Sequence, residues 1–170
     1  FEGMDHLPMN LYLQSGITGL AIFIGIGFFL TVATQSSSAA IAFILAATAG
    51  GVVPMHLAAA AVIGANLGTT TTAILATINA SPASRGVALV HVVFNLVVAG
   101  VGLLLLKPLL GIIGFAQDTF QVLQEPAETL ALFHTLINVL GVAIMATQTE
   151  GLVLRAGKLF AGSAATDRVQ

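Results

Sequence analysis

Long apolar stretches alternate with short polar breaks along most of the chain. Gln14–Thr34 is a nearly continuous apolar stretch of 21 residues, enough for a helix that crosses a hydrocarbon core about 30 Å thick. Gly86–Leu106 and Ala127–Thr147 are two further stretches of that length. The pattern predicts three full transmembrane helices. Glycines in the first stretch favour close packing against a neighbouring helix: Gly16, Gly19, Gly25 and Gly27.

Two shorter apolar pieces lie between the first two long stretches. Ala39–Ala49 and Met55–Ala65 have 11 residues each, so as helices they reach only about 16 Å. Gly50–Pro54 between them is a turn signal, with a proline suited to open the next helix. We therefore predict a broken-helix re-entrant hairpin over residues 35–80, with a polar cluster at each of its open ends.

These two polar clusters are Gln35–Ser38 and Gly68–Thr72, and they lie in a stretch from His6 to Ser84 without a single Asp, Glu, Lys or Arg. Polar side chains are costly in hydrocarbon and are commonly functional there. The clusters therefore predict a binding site for an ion or a polar solute, and such a site within a membrane is typical of a transporter.

The first cluster favours an anion. Serine suits helix starts better than helix interiors, so the run indicates a break. A break exposes backbone N–H groups at the start of the next helix, where the helix dipole favours negative charge. The alternative is that these hydroxyls only join packed helices. The predicted ligand-binding residues are Gln35, Ser36, Ser37 and Ser38.

The second cluster favours a hard cation such as sodium. Asn66 and the glycines around it tolerate left-handed backbone, so we expect the helix to unwind over 64–72 and turn carbonyl and hydroxyl oxygens inward. The alternative is an intact threonine-rich helix whose hydroxyls bond to the preceding turn. The predicted residues are Asn66, Thr69 and Thr70.

A short motif occurs twice, 43 residues apart: a histidine followed four residues later by an asparagine. Residues at this spacing share one helical face. No carboxylate lies within a turn of either histidine, which argues against a metal site. We expect these residues to pack helices through interhelical hydrogen bonds: His91, Asn95, His134 and Asn138.

Composition supports an all-α integral membrane protein. Charged residues make up 7% of the chain, against about 25% in soluble domains. The net charge of −2 argues against a nucleic-acid partner, and there is no cysteine for a disulfide or a thiolate. No nucleophile–base pair or acid–base pair is evident, so we predict neither an enzyme nor a cofactor.

The polar segments divide the chain further. We predict a polar lead-in over 1–13, a unit over 14–106 that contains the hairpin, an extracytoplasmic loop over 107–126, a transmembrane helix over 127–148 and a cytoplasmic tail over 149–170. Basic residues then mark the cytoplasmic side, with Lys107 as the exception: Arg85, Arg155, Lys158 and Arg168.

Four elements in this order resemble the type II sodium–phosphate cotransporter family. They are the Gln35–Ser38 run, Gly64–Thr70, Arg85, and the His91–Asn95 motif, and the resemblance covers roughly residues 17–100. Phe133–Asn138 resembles the helix that follows this unit in bacterial members.

The resemblance implies a multi-pass protein of the cell membrane that couples sodium entry to uptake of inorganic phosphate. Members usually contain two such units in inverted orientation, and each supplies one Gln-Ser-Ser-Ser to a shared site. This chain has one, so the resemblance implies half a site, completed by a second repeat outside this sequence or by a second copy of the chain. A sodium-coupled transporter of another small anion, such as sulfate, and a non-transporting membrane scaffold or sensor are the alternatives.

Overall fold

The computed structural model describes residues 16–122 and 124–166, of which 161–166 are described as backbone only. This part of the chain forms seven α-helices and no strand. They are α1 (Gly16–Thr34), α2 (Ser37–Ala49), α3 (Met55–Leu75), α4 (Pro82–Leu104), α5 (Leu106–Phe120), α6 (Pro126–Met145) and α7 (Thr149–Thr166). The predicted lead-in over 1–13 and Arg168 lie outside the described residues.

Four of these helices, α1, α3, α4 and α6, are long and apolar enough to cross a membrane. Three of them confirm the three predicted spans. The fourth, α3, corrects the prediction of a half-length second arm that breaks after residue 65, because this helix continues without interruption through 21 residues to Leu75. With 13 residues, α2 remains shorter than a membrane span.

The largest helix–helix interface joins α1 to α3. A Cβ atom on Gly27 would overlap the Ala61 carbonyl group, and one on Gly64 would overlap the Ile24 carbonyl oxygen. One turn further along both helices, a Cβ on Gly68 would lie 2.8 Å from a carbonyl oxygen of α1. The two backbones therefore touch through glycine, and because the contact positions advance together the helices run parallel.

The turn over 50–54 reverses the direction of the chain, so α2 runs antiparallel to α3. The 13 residues of α2 cover the same length as the first 13 of α3, Met55–Leu67. Ser37, at the start of α2, is therefore level with the middle of α3 near Asn66. Ala40 and Ile44 are buried on the face that α2 turns to the core.

The later helices complete the core around α3. α6 packs on α4 where Val98 lies against Gly141, and on α3 and α2 as well. Phe133 and Ile137 of α6 are fully buried. α7 packs along the start of α4, where Ala156 lies against Gly86.

Two segments that the sequence predicted as loop and tail are helical. Most of the predicted loop over 107–126 belongs to α5, which covers 106–120, because this amphipathic segment buries Leu106 and Ile113 against the core. Residues 149–166 of the predicted tail form α7, which buries Ala156.

Candidate functional site

The helical conformation is interrupted between α1 and α2 at Gln35, whose φ of 52° lies in the left-handed region. The Thr34 hydroxyl lies 2.7 Å from the Leu30 carbonyl oxygen and 2.9 Å from the Ser36 carbonyl oxygen, so its single proton is shared between the last turn of α1 and the residue after the break. Ser36 then caps α2, because its Oγ accepts the Ala39 N–H at 3.2 Å. The serine run therefore begins a helix, as its residue preferences predict.

The predicted anion-binding residues do not all face the same way. Ser37 is half-buried and lies on the same face of α2 as Ala40 and Ile44, three and seven residues further on. Gln35 and Ser38 are exposed in this chain. The N–H groups of Ser37 and Ser38 belong to the first helical turn, which has no intrahelical acceptor for them. The start of α2 thus offers hydrogen-bond donors.

The threonine run lies within an intact helix, so the predicted unwinding over 64–72 was wrong. Thr69 donates its hydroxyl proton to the Asn66 carbonyl oxygen at 2.6 Å, Thr70 donates to Leu67 at 2.7 Å, and Thr72 donates to Thr69 at 2.7 Å. These bonds satisfy the hydroxyls within the helix. Because each proton points to the backbone, the hydroxyl oxygens present lone pairs to their surroundings, which suits a cation.

Asn66 is the most buried polar side chain of the second cluster, with 6% of its surface exposed. Its Oδ1 lies 3.2 Å from Nε2 of His134 on α6, which therefore donates. Its Nδ2 is buried without a hydrogen-bond partner among the described residues. A buried donor left in this state costs about 1–3 kcal/mol, so this atom calls for an explanation.

The two repeated motifs both place their histidine against α3 rather than against each other. Nε2 of His91 lies 3.4 Å from the Thr69 hydroxyl, as Nε2 of His134 lies close to Asn66. The asparagines bond within their own helices: Asn95 donates to the His91 carbonyl oxygen at 3.0 Å, and Asn138 to that of His134 at 2.8 Å. The histidines thus join α4 and α6 to the polar turn of α3.

An open groove of about 530 Å³ lies between α3 and α4 beside this network. Its walls are mainly apolar, and its polar side chains are Thr69, Thr72, Thr77, Ser84 and His91. Through Thr69 the groove meets the network that includes Asn66.

Thr31 is a polar residue of the interface that the sequence pattern did not single out. It is 1% exposed, and its hydroxyl donates to the Ala65 carbonyl oxygen at 3.0 Å, across the α1–α3 interface. Its position one helical turn before Gln35, at the end of an apolar stretch, was the available signal.

The stretch of sequence that carries the two polar clusters contains no Asp, Glu, Lys or Arg. Arg85 is the first charged residue after the network, and its guanidinium donates to the Ile78 carbonyl oxygen at 3.1 Å in the loop before α4. In the described part of the chain, no group of three or more His, Cys, Asp or Glu side chains could hold a metal ion. The network therefore consists of hydroxyl, amide, imidazole and carbonyl groups, a setting for hydrogen bonds and for ligation by hydroxyl or carbonyl oxygens.

Four long apolar helices around a buried polar network define a multi-pass membrane protein. The sequence model of the Na+/Pi-cotransporter family matches residues 9–116. The chain belongs to the Na+/Pi-cotransporter family, a family of transporters, as the resemblance of its motifs predicted.

The relatives agree with this assignment. The chain is 36% identical over 114 residues to the uncharacterized protein YqeW of Bacillus subtilis, an alignment that covers 67% of this chain and 35% of YqeW. It is 45% identical over 96 residues to the human sodium-dependent phosphate transport protein 2C, covering 54% of this chain and 15% of that protein. With the rat protein of the same name it shares 37% identity over 147 residues, 84% of this chain and 23% of the relative. No solved structure matches the chain significantly.

Proposed function

We propose that this chain supplies half of the binding site of a symporter that couples sodium entry to uptake of inorganic phosphate. One observation carries the proposal: α2 and α3 form an antiparallel hairpin without Asp, Glu, Lys or Arg. The lengths of the two helices bring the hydrogen-bond donors at the start of α2 to the level of the hydroxyl oxygens in the middle of α3. An anion and a cation therefore find complementary partners at the same depth of one helical hairpin.

In this proposal phosphate binds at the start of α2, where Ser36, Ser37 and Ser38 meet the free N–H groups and the positive end of the helix dipole. Gln35 adds an amide that reaches the ligands when the second half of the site is in place. Sodium binds near the oxygens of Thr69 and Thr70. Assigned in this way, the serine run faces the anion and the threonine oxygens face the sodium bound beside it.

The absence of fixed charge in the stretch from His6 to Ser84 explains why transport would be coupled. A phosphate with a charge of about −2 is not held in a medium of low dielectric constant without compensation. Sodium then supplies the missing charge, and phosphate supplies the strongest ligands for sodium. The loaded site approaches neutrality, which allows it to be exposed to the other side by a rocking motion.

The proposal includes a second half. This second half is supplied by an inverted repeat elsewhere in the full-length protein or by a second copy of this chain. Within the hairpin of α2 and α3, the short arm, α2, is the re-entrant one. The chain spans about a third of YqeW and less than a quarter of the transport proteins 2C.

The test is uptake of labelled phosphate into proteoliposomes that contain the full-length protein, with an inward gradient of sodium or of potassium. We expect uptake only with sodium. Ser37→Ala should raise the phosphate KM about tenfold, because a bond to a charged ligand is lost. Thr135→Val is the matched control, because Thr135 is exposed on α6 and its hydroxyl bonds only within that helix.

Three outcomes decide between the candidate functions. Equal uptake in sodium and potassium by folded protein would refute the symport and favour the scaffold. Unlabelled sulfate that competes more strongly than unlabelled phosphate would indicate another anion as the substrate. An unchanged phosphate KM in Ser37→Ala would remove the start of α2 from the site.

A further inference from the structure

The two ends of the Asn66 amide have different surroundings. The oxygen accepts the Nε2–H of His134 at 3.2 Å. The nitrogen carries two N–H groups, is buried, and has no hydrogen-bond partner in the part of the chain that the structure describes. The free hydrogen-bonding capacity of Asn66 is therefore that of a donor and not that of an acceptor.

This polarity contradicts the use of Asn66 as a sodium ligand. Sodium binds oxygen lone pairs, and the side-chain oxygen is already occupied by His134. An amide N–H group repels a cation and donates to an oxyanion. The neighbouring threonine hydroxyls have the opposite polarity, because their protons are bound to backbone carbonyl groups.

The donor also lies at the depth where the anion is proposed to bind. Asn66 is level with Ser37 across the hairpin, and Ser37 is on the face of α2 that packs against α3 and α6. Three helices, α2, α3 and α6, thus supply the serine, the amide and the histidine in one layer of the core.

We propose that Asn66 is an oxyanion-binding residue of the phosphate site and that His134 is its positioning residue. By accepting from His134, the amide is held with its NH2 group free for the ligand. The proposal rests on the proposed function and adds to it the ligand of Asn66 and a role for the second histidine motif beyond helix packing.

The conformation described here keeps Nδ2 enclosed, with almost no accessible surface. The anion therefore reaches it in a different conformation of the transport cycle. The Nδ2 donor is unsatisfied in this conformation and bonded to phosphate in the loaded one, so phosphate binds the loaded conformation more tightly. A ligand shifts a conformational equilibrium only through such a difference in affinity between the two conformations.

The sharpest test is Asn66→Asp, which keeps the acceptor for His134 and replaces the NH2 group by an oxygen of similar size. We measure phosphate and sodium KM values for uptake by the full-length protein, each at a saturating concentration of the other ion. We expect the phosphate KM to rise by at least about tenfold, because a charge-assisted hydrogen bond is replaced by a carboxylate that repels the anion, while the sodium KM stays equal or falls. A phosphate KM within about twofold of wild type would overturn the proposal, as would a rise confined to the sodium KM.

The positioning role is tested by two substitutions of His134. His134→Gln keeps an N–H donor and should leave the phosphate KM close to wild type. His134→Leu removes the donor and lets the amide turn, so the phosphate KM should rise about tenfold with little change in the sodium KM. Equal phosphate KM values in the two variants would refute the positioning role. If His134→Leu does not fold, Asn66→Asp still tests the role of the Asn66 amide. The positioning role is then tested by comparing the phosphate KM of His134→Gln with that of His134→Asn, whose shorter side chain does not reach the Asn66 oxygen.

Failure of this inference differs from failure of the proposed function. If wild-type protein shows no sodium-dependent phosphate uptake, the proposed function fails and takes the inference with it. If wild type transports and Ser37→Ala is impaired but Asn66→Asp is not, the function stands and only the role of Asn66 is refuted.

Discussion

Thr31 joins the two closest helices by a single buried hydrogen bond, one residue away from the polar centre at Asn66. The residue is 1% exposed, and its hydroxyl donates to the Ala65 carbonyl oxygen of α3 at 3.0 Å. Thr31→Val keeps the shape and removes the donor, so we expect the free energy of unfolding to fall by about 1 kcal/mol. Reversible unfolding in mixed detergent micelles measures this difference.

Thr135→Val is the control for Thr31→Val, because Thr135 also loses a hydroxyl but bonds only to the Ala131 carbonyl oxygen of its own helix. Its effect should stay within about 0.5 kcal/mol. Equal losses in the two variants would show that the interhelical bond contributes nothing beyond the helix itself.

At this scale the sequence predicts which residues are polar in an apolar stretch, but not what they bond to. Asn66 and Thr69 stand out because no charged residue lies near them in sequence. That the Asn66 oxygen is taken by His134, 68 residues away, depends on the packing of α3 against α6. The choice between unwound and intact helix at Thr69 is a local competition for hydrogen bonds, and the residue types alone left it open.

The parallel pair α1 and α3 is the best-defined unit at the scale of helices. Gly27 is buried and a Cβ there would overlap the Ala61 carbonyl group, which cannot move aside as a side chain can. Gly27→Ala should therefore separate the helices, break the bond of Thr31, and cost about 3 kcal/mol.

Gly25→Ala is the matched control on the same helix, because nothing lies within 4 Å of a Cβ at that position. We expect it to change the free energy of unfolding by no more than about 0.5 kcal/mol. Comparable destabilisation by both alanines would mean that α1 needs glycine for reasons other than contact with α3.

Helix positions follow from the sequence where hydropathy alone determines them. The spans α1, α4 and α6 are uninterrupted apolar stretches, so their existence was predictable. Segment α5 was not, because it is helical through the burial of one face, Leu106 and Ile113, against elements distant in sequence. For α3, Asn66 and the glycines suggested a break, whereas in the fold Gly64 and Gly68 serve the contact with α1.

At the scale of the whole molecule, Arg85 and the basic residues of α7 lie at one end of α4, whereas Lys107 follows its other end. Arg85 at the start of α4 and Lys158 of α7 lie close together because Gly86 packs against Ala156. The positive-inside rule predicts that this end is cytoplasmic. The break at Gln35 lies deeper, because Thr31, one turn before it, contacts Ala65 and Gly68, while α3 continues to Leu75 before this loop.

The central claim is that a neutral site binds phosphate only together with sodium. Binding of two ligands to one site is reciprocal, so sodium must raise the phosphate affinity by the same factor by which phosphate raises the sodium affinity. The most direct measurement is the dissociation constant of phosphate for the purified full-length protein, titrated in sodium and in equal concentrations of potassium. We predict that sodium tightens phosphate binding by at least about tenfold. Equal affinities in sodium and potassium would contradict the claim, because the site would then hold the anion without the cation.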